Sequence, residues 1–168
     1  MIKIIELRDL TKYYGNTRGI EGLDLKVNQG EVFGYLGPNG AGKTTTIRLL
    51  LDLIRPTRGD AFINGFNCFT QTEQVKNDME YLPGDFVAYK RLTCNQYLKF
   101  MAGFYNDSET ETRGRKLAEY FNLDLSRRVG DCSQGMKQKL GLIQVFMVDC
   151  PLYILDEPTS GLDPLIQQ

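Results

Sequence analysis

Residues 37–44 join a glycine-rich stretch to a lysine and a threonine, in the pattern G-x-x-x-x-G-K-T. Glycines at 37, 40 and 42 can adopt the positive φ values that turn successive backbone N–H groups toward one point and form an anion site. The lysine can neutralise the β and γ phosphates of a nucleotide, and the threonine hydroxyl can bind Mg²⁺. We therefore expect ATP and Mg²⁺ to bind at a loop that includes Gly37, Pro38, Asn39, Gly40, Ala41, Gly42, Lys43, Thr44 and Thr45.

Two acids, Asp156 and Glu157, follow the short apolar run Leu152–Leu155. Consecutive side chains of a strand point to opposite faces, so the two carboxylates cannot have the same role. At the carboxyl end of a parallel strand, we expect Asp156 to hold the Mg²⁺ hydration shell beside Thr44. Glu157 would then face the γ-phosphate and polarise the attacking water. Combined with the glycine-rich loop, this pair predicts an ATPase.

The first half of the chain is rich in strand patterns. Leu23, Leu25 and Val27 alternate with polar residues, which is typical of a strand with one solvent face. The more apolar run at residues 31–36 ends at the glycine-rich loop and predicts a buried strand. Residues 60–64 and the following Gly65 predict a further strand with an Asn-Gly turn.

Helical spacing follows the loop, at Ile47, Leu50, Leu51 and Ile54, and dominates the second half of the chain. There Thr93 is a plausible N-cap. Apolar residues with helical spacing come after it, in three groups: Tyr97, Met101 and Phe104; Leu117 and Phe121; and Met136, Leu140, Ile143 and Met147. The pattern predicts an α/β fold in which a mixed sheet carries an inserted helical lobe.

The composition excludes several classes of protein. The 168 residues carry a net charge of -1, so no basic excess indicates a nucleic-acid partner. With no histidine, a Ser-His-Asp triad and a His-Cys zinc site are both ruled out. The spacing of the four cysteines favours free buried thiols over a metal site or disulfides. No apolar stretch approaches the roughly 18 residues of a membrane span, so we expect a cytoplasmic protein.

With both the glycine-rich phosphate loop and the Asp156-Glu157 pair, the chain resembles the ATP-binding subunit of an ABC transporter. Cys132-Ser133-Gln134-Gly135-Met136 stands where that family has Leu-Ser-Gly-Gly-Gln, and Ser160-Gly161-Leu162-Asp163 resembles the family's D-loop. Tyr14 matches the aromatic residue that stacks on adenine in the family. The run 134–140 most resembles the multidrug and antibiotic exporter branch.

The resemblance implies how such a chain would work. Ser133 can cap the helix that follows it, so that its hydroxyl and the nearby N–H groups, including that of Gly135, form a second anion site. In the family, two subunits meet head to tail and each offers this helix end to the other's γ-phosphate. The implied partners are therefore a second ATP-binding subunit and membrane-spanning permease subunits, at the inner face of the membrane. The implied parts are residues 1–84 with the phosphate loop, 85–148 as helical subdomain, and 149–168 with the Asp-Glu strand and D-loop.

Three departures from the family pattern stand out. Pro83-Gly84-Asp85 occupies the place of the Q-loop glutamine, which Asp85 would replace. Cys132, Gln134 and Met136 replace three signature residues, while Ser133 and Gly135 are kept. The sequence stops at Gln168, before the family's switch histidine and the strand that carries it. That strand lies between the phosphate-loop strand and the Asp-Glu strand in the family, so the sequence reads as a C-terminally truncated domain.

The sequence allows three hypotheses about function. The first is the ATP-hydrolysing subunit of a membrane exporter, in which the 168-residue chain alone would be inactive. The second is an ABC-type ATPase that acts on a soluble partner. The third is a truncated, non-catalytic remnant.

Overall fold

The structure is a computed structural model that describes residues 2–159. These residues form two compact units. The first unit comprises 2–79 and 150–152, and the second comprises 80–149 and 153–159. Strands and helices occur in both units, which confirms the predicted α/β class.

An antiparallel sheet with the spatial order β2-β1-β3-β4 forms the first unit. Its strands are β1 (Lys3–Tyr14), β2 (Thr17–Asn28), β3 (Arg58–Ile63) and β4 (Phe66–Asn67). The predicted alternation along β2 is confirmed, because Val27 is buried while Asp24 and Lys26 are exposed. The predicted Asn-Gly turn joins β3 to β4, with φ of 49° at Asn64 and 82° at Gly65. Two consecutive positive φ values are what a tight hairpin turn requires.

Two helices, α1 (Lys43–Leu50) and α2 (Thr72–Asn77), complete the first unit. The sheet and α1 share a core, in which Ile5 lies opposite Ile63 across the β1–β3 ladder and Leu49 is fully buried. The helix α1 ends earlier than its apolar spacing predicts. Asp52 has a φ of 54°, a left-handed conformation that stops the helix and leaves Ile54 beyond it.

The predicted buried strand at residues 31–36 is wrong for this structure. The segment belongs to no strand, and Val32 and Leu36 are 101% and 91% exposed. A strand obtains its backbone hydrogen bonds from a neighbouring strand, and its apolar side chains are buried only by a covering layer. Among the described residues no strand pairs with this segment, and Val32 and Leu36 are left uncovered, whereas Tyr35 is half-buried with its hydroxyl 3.3 Å from that of Thr46.

Three helices and most of a two-stranded sheet form the second unit. They are β5 (Met79–Leu82), α3 (Cys94–Ala102), α4 (Thr110–Tyr120), α5 (Gln134–Phe146) and β6 (Leu152–Leu155), with β5 hydrogen bonded to β6. The predicted strand before the two acids is therefore confirmed as β6. Thr93 is confirmed as an N-cap: its hydroxyl accepts a hydrogen bond from the Gln96 backbone, and the Gln96 side chain returns one to the backbone of Thr93.

The core of the second unit lies around α5. Leu140, Ile143 and Met147 are fully buried among the helices, as their spacing predicts. A different face of α5 packs on β5, where Leu142 and Val145 meet Leu82. Phe104 departs from the predicted stripe because α3 ends at Ala102, and its ring is 69% exposed.

None of the described helices is long and apolar enough to cross a membrane. Cys68, Cys94 and Cys132 are buried free thiols, as predicted, and Cys150 is half-buried. Burial raises the pKa of Cys94 to about 12, so this thiol stays protonated at neutral pH.

Candidate functional site

The phosphate loop ends at Gly42, which is the N-cap of α1. Gly42 has a φ of 92°, and a Cβ there would lie 2.3 Å from Ile20 Cγ2 and 2.9 Å from the Gly19 carbonyl oxygen. Only glycine fits such a conformation so close to β2. Gly40, with a φ of 83°, also adopts the predicted left-handed conformation and has open space around it.

Gly37 differs from the expectation that all three loop glycines have positive φ. Its φ is not positive, and a Cβ at this position would lie 3.1 Å from the Ala41 Cβ. A side chain at position 37 would therefore press on Ala41, which would have to shift by a few tenths of an ångström. The loop is closed by a hydrogen bond from the Ala41 N–H to the Pro38 carbonyl.

The lysine and threonines of the loop lie at the start of α1, as predicted. The Lys43 ammonium donates hydrogen bonds to the carbonyls of Gly37 at 2.6 Å and Pro38 at 3.1 Å, so its charge lies over the loop. Thr44 is exposed. Thr46, one position beyond the predicted set, is buried and donates to the Gly42 carbonyl at 3.1 Å, which stiffens the first turn of the helix.

Gly19 brings the predicted adenine-stacking residue close to the loop. A Cβ at Gly19 would lie 3.0 Å from the Tyr14 ring and 3.3 Å from the Thr45 methyl group. Tyr14 is 45% exposed, with the Lys12 ammonium 5.3 Å from its ring centroid. An exposed aromatic face is suited to stacking on a planar base.

The phosphate loop fits a nucleotide chemically. Residues 37–41 are exposed, and the helix start supplies N–H groups and the positive end of a dipole. Lys43 supplies a cation, and the Thr44 hydroxyl is a hard oxygen donor of the kind that Mg²⁺ prefers.

The two acids follow β6 in the second unit. The Asp156 N–H donates to the Leu82 carbonyl at 2.9 Å and so extends the pairing of β6 with β5. Glu157 is exposed and has a φ of 49°, a left-handed conformation that is unusual for a residue with a side chain. A Cβ on Gly84 would lie 3.4 Å from the Asp156 carbonyl oxygen and 3.8 Å from Glu157 Cβ. The segment at the Q-loop position thus packs directly on the two acids, while Asp85 itself is exposed.

Ser133 is the N-cap of α5, as predicted. Its hydroxyl accepts a hydrogen bond of 3.3 Å from the Met136 N–H. Gly135 lies in the first turn of the helix, and Arg127 approaches the same turn, with a guanidinium nitrogen 3.9 Å from the Met136 sulfur. Cys132, just before the cap, is buried with its sulfur 3.7 Å from that of Cys94.

Gln138 is a residue near the two acids that the sequence reasoning missed. It lies on α5, is 1% exposed, and donates from Nε2 to the Pro158 carbonyl at 3.1 Å. A signal was present in the sequence: Gln138 precedes Leu142 and Val145 by four and seven positions, so a polar residue lies on an apolar helix face.

The predicted site residues are divided between the two units. Tyr14 and the phosphate loop belong to the first, whereas Ser133, Gly135, Asp156 and Glu157 belong to the second. The D-loop-like segment, Ser160–Asp163, lies outside the described residues.

Comparison with known proteins places these features in a family. The family model for the ABC transporter matches residues 20–160. The bacitracin transport ATP-binding protein BcrA of Bacillus licheniformis is 39% identical over 173 residues, which cover 98% of this chain and 54% of that relative. The chain therefore spans about half the length of this curated relative.

Solved structures agree with the family model. A structure described as the ATP-binding subunit of an ABC transporter is 37% identical, with a TM-score of 0.86, and the match covers 96% of this chain and 69% of that one. The dimeric, post-hydrolysis structure of the ATP-binding cassette MJ0796 with ADP and Pi has a TM-score of 0.81 and covers 96% of this chain and 77% of that one. Its identity is 19%, so it supports the fold alone. On the family match, the relative and the fold together, the chain belongs to the ABC transporter family and is related to its ATP-binding subunits.

Proposed function

We propose that this chain supplies the nucleotide-binding machinery of an ATP-hydrolysing subunit that powers a membrane exporter. The observation that carries the proposal is the phosphate loop, whose Gly42 has a positive φ and lies too close to Ile20 and Gly19 to bear a side chain. Such a loop at the start of a helix directs backbone N–H groups at an anion. The transport role is supported by the family and by the relative named for bacitracin transport.

We assign each site residue a separate role in ATP hydrolysis. Lys43 and the loop amides, from Gly37 to Thr45, would hold the phosphates of ATP, with Tyr14 against the adenine. Thr44 and Asp156 would bind Mg²⁺, which neutralises charge on the β and γ phosphates. Glu157 would polarise the attacking water as a general base.

The second anion site would act between two subunits. The start of α5, with Ser133 and Gly135, offers a capped helix end whose N–H groups and dipole favour negative charge. We propose that each subunit presents this helix end to the γ-phosphate held by a second, head-to-tail subunit. ATP would then hold the dimer together, and hydrolysis would release it.

A permease is the other partner that we propose. Tyr89, Phe100 and Phe104 are 60%, 46% and 69% exposed, and their rings meet edge to face at 5.6 Å and 5.1 Å. A contiguous exposed aromatic surface is typical of a protein interface. We propose that this aromatic surface contacts a cytoplasmic segment of the membrane-spanning subunit, which would hold the ATPase at the inner face of the membrane.

Replacement of Lys43 tests whether the phosphate loop binds ATP. In the complete protein, Lys43→Ala should abolish measurable binding of labelled ATP, because the loop has no other cation to neutralise the phosphates. Lys116→Ala, on the exposed face of α4, is the matched control and should bind ATP like the wild type. Equal ATP affinity in the Lys43 variant and the wild type would refute the assignment.

A further inference from the structure

Gln138 is nearly inaccessible to solvent, yet only one end of its amide is paired. Its Nε2 donates to the Pro158 carbonyl at 3.1 Å, whereas its Oε1 is buried and has no hydrogen-bond partner among the described residues. The same face of α5 carries Leu142 and Val145, which pack in an apolar cluster with Leu82. A leucine or methionine would therefore suit this position better than a glutamine if packing alone decided it.

The carbonyl that Gln138 holds belongs to the residue after Glu157. Glu157 has a φ of 49°, and a non-glycine residue keeps a left-handed conformation only where its surroundings enforce it. On the N-terminal side, the bond from the Asp156 N–H to the Leu82 carbonyl fixes the chain to β5. On the C-terminal side, the Gln138 amide fixes the Pro158 carbonyl. The unusual backbone of Glu157 is thus held from both directions.

We propose that Gln138 is a positioning residue for ATP hydrolysis: it fixes the Pro158 carbonyl, one residue after Glu157, and so directs the Glu157 carboxylate at the attacking water. The inference rests on the proposed function, in which Glu157 is the general base. Gln138 would act through this backbone contact alone, because its side chain is buried. Its role explains why an amide is present on an apolar helix face, because no apolar side chain can donate to the Pro158 carbonyl.

The test compares two glutamines of the same helix. Gln138→Met keeps the length of the side chain but loses the donor, and Gln144→Met is the matched control, since Gln144 accepts a hydrogen bond from the Tyr97 hydroxyl within the helical part of the unit. In the complete protein, Gln138→Met should lower kcat for ATP by about tenfold or more and leave KM within about twofold, because a displaced base impairs the chemical step. Gln144→Met should leave kcat and KM within about twofold of the wild type.

A double variant separates positioning from general stability. In a Glu157→Gln background, adding Gln138→Met should lower the residual rate by less than about twofold, because the carboxylate that Gln138 positions is already gone. The melting temperature of the Gln138→Met protein should be no lower than that of the Gln144→Met protein, so a loss of folding would not explain a lower kcat. Gln138→Leu serves as a second donor-free variant if the methionine variant fails to fold.

The outcomes distinguish the inference from the function on which it rests. A kcat within about twofold of the wild type in either folded Gln138 variant would overturn the inference while leaving the ATPase in place. The inference would also be overturned, with the ATPase still in place, if Gln138→Met slowed the Glu157→Gln protein by as large a factor as it slows the wild type. A wild-type protein that binds ATP but shows no Mg²⁺-dependent hydrolysis would overturn both.

Discussion

At the scale of single residues, the two acids after β6 differ in backbone conformation and in exposure. Asp156 continues the pairing with β5, whereas Glu157 turns into the left-handed region and is exposed. An acid whose backbone is fixed by strand pairing suits a metal ligand, and an exposed acid suits a base that meets water. Their proposed roles follow this difference.

Glu157→Gln should separate binding from chemistry. In the complete protein, we expect ATP affinity close to that of the wild type and hydrolysis slower by about 10²-fold or more, because the amide cannot accept the proton. ATP-bound dimers should then accumulate in gel filtration. Glu119→Gln, an exposed glutamate on α4, is the matched control. Equal turnover in the Glu157 variant and the wild type would remove Glu157 from its role.

Glu80 gives the second unit a pH-dependent stability. Burial raises the pKa of Glu80, and the hydrogen bond of 2.7 Å from the Tyr105 hydroxyl opposes this rise in part. Folding therefore favours the protonated carboxyl. Its stabilising contribution is fully present below the pKa of the unfolded chain, about 4.3, and is lost as the pH rises through the higher folded pKa.

Glu80→Gln should consequently stabilise the protein at neutral pH. The amide stays neutral and keeps an oxygen that can accept from Tyr105, so the variant should melt at a higher temperature than the wild type at pH 7. The difference in melting temperature should shrink as the pH falls toward 4 and close below it, where Glu80 is protonated in both states. Thermal melts from about pH 3 to pH 8 measure this, with Glu119→Gln as the control for loss of charge. A difference that widens toward acidic pH would contradict the expected sign.

At the scale of elements, the fit between β2 and α1 shapes the phosphate loop. Ile20 of β2 and the N-cap of α1 approach so closely that no Cβ can stand between them. The start of the helix is thus fixed by a strand that lies before it in the chain. The segment that leads into the loop, residues 31–36, has no such neighbour among the described residues and forms no strand.

Gly42→Ala should therefore lower the free energy of unfolding by more than a glycine-to-alanine replacement at a similar φ elsewhere. Gly30 has a φ of 78° with open space around it, so Gly30→Ala measures strain alone, about 1 kcal/mol. Gly42→Ala adds the overlap with Ile20 and should lower the free energy of unfolding by a larger amount and abolish ATP binding. Urea titration and labelled-ATP binding on both variants measure this. Equal effects of the two replacements would show that β2 and α1 can move apart freely.

At the scale of the whole molecule, the proposed chemistry draws on both units. The first supplies the phosphate loop and Tyr14, and the second supplies Asp156, Glu157 and the capped helix with Ser133. Hydrolysis depends on the accuracy with which such groups are held, because a misplacement of about 1 Å can reduce a rate by about 10²-fold.

Residues 1–168 alone should accordingly bind ATP weakly and show no hydrolysis above background. The reason is the segment before the phosphate loop, where Val32 and Leu36 are exposed and no strand forms. A phosphate-release assay on the purified 168-residue chain tests this, with an ABC ATPase of established turnover as the positive control. Strong Mg²⁺-dependent turnover by this chain would show that the loop needs no strand to hold it.

The sequence alone determined the features that depend on residue type and short spacing. The left-handed Gly40 and Gly42 before α1, the strand β6 before Asp156, the cap at Thr93 and the Asn64-Gly65 turn all formed where the pattern predicts them. Each is encoded within a few neighbouring residues, through a cap, a positive φ or an alternation of polar and apolar side chains.

Only the tertiary structure decided the features that join distant parts of the chain. Ile20 leaves no room for a side chain at Gly42, and Gly84 packs against Asp156. The Gln138 amide donates a hydrogen bond to the Pro158 carbonyl. The tertiary structure also left residues 31–36 outside any strand, although their apolar run favours one. A strand requires a partner and a buried side chain requires a covering surface, and neither is written in the local sequence.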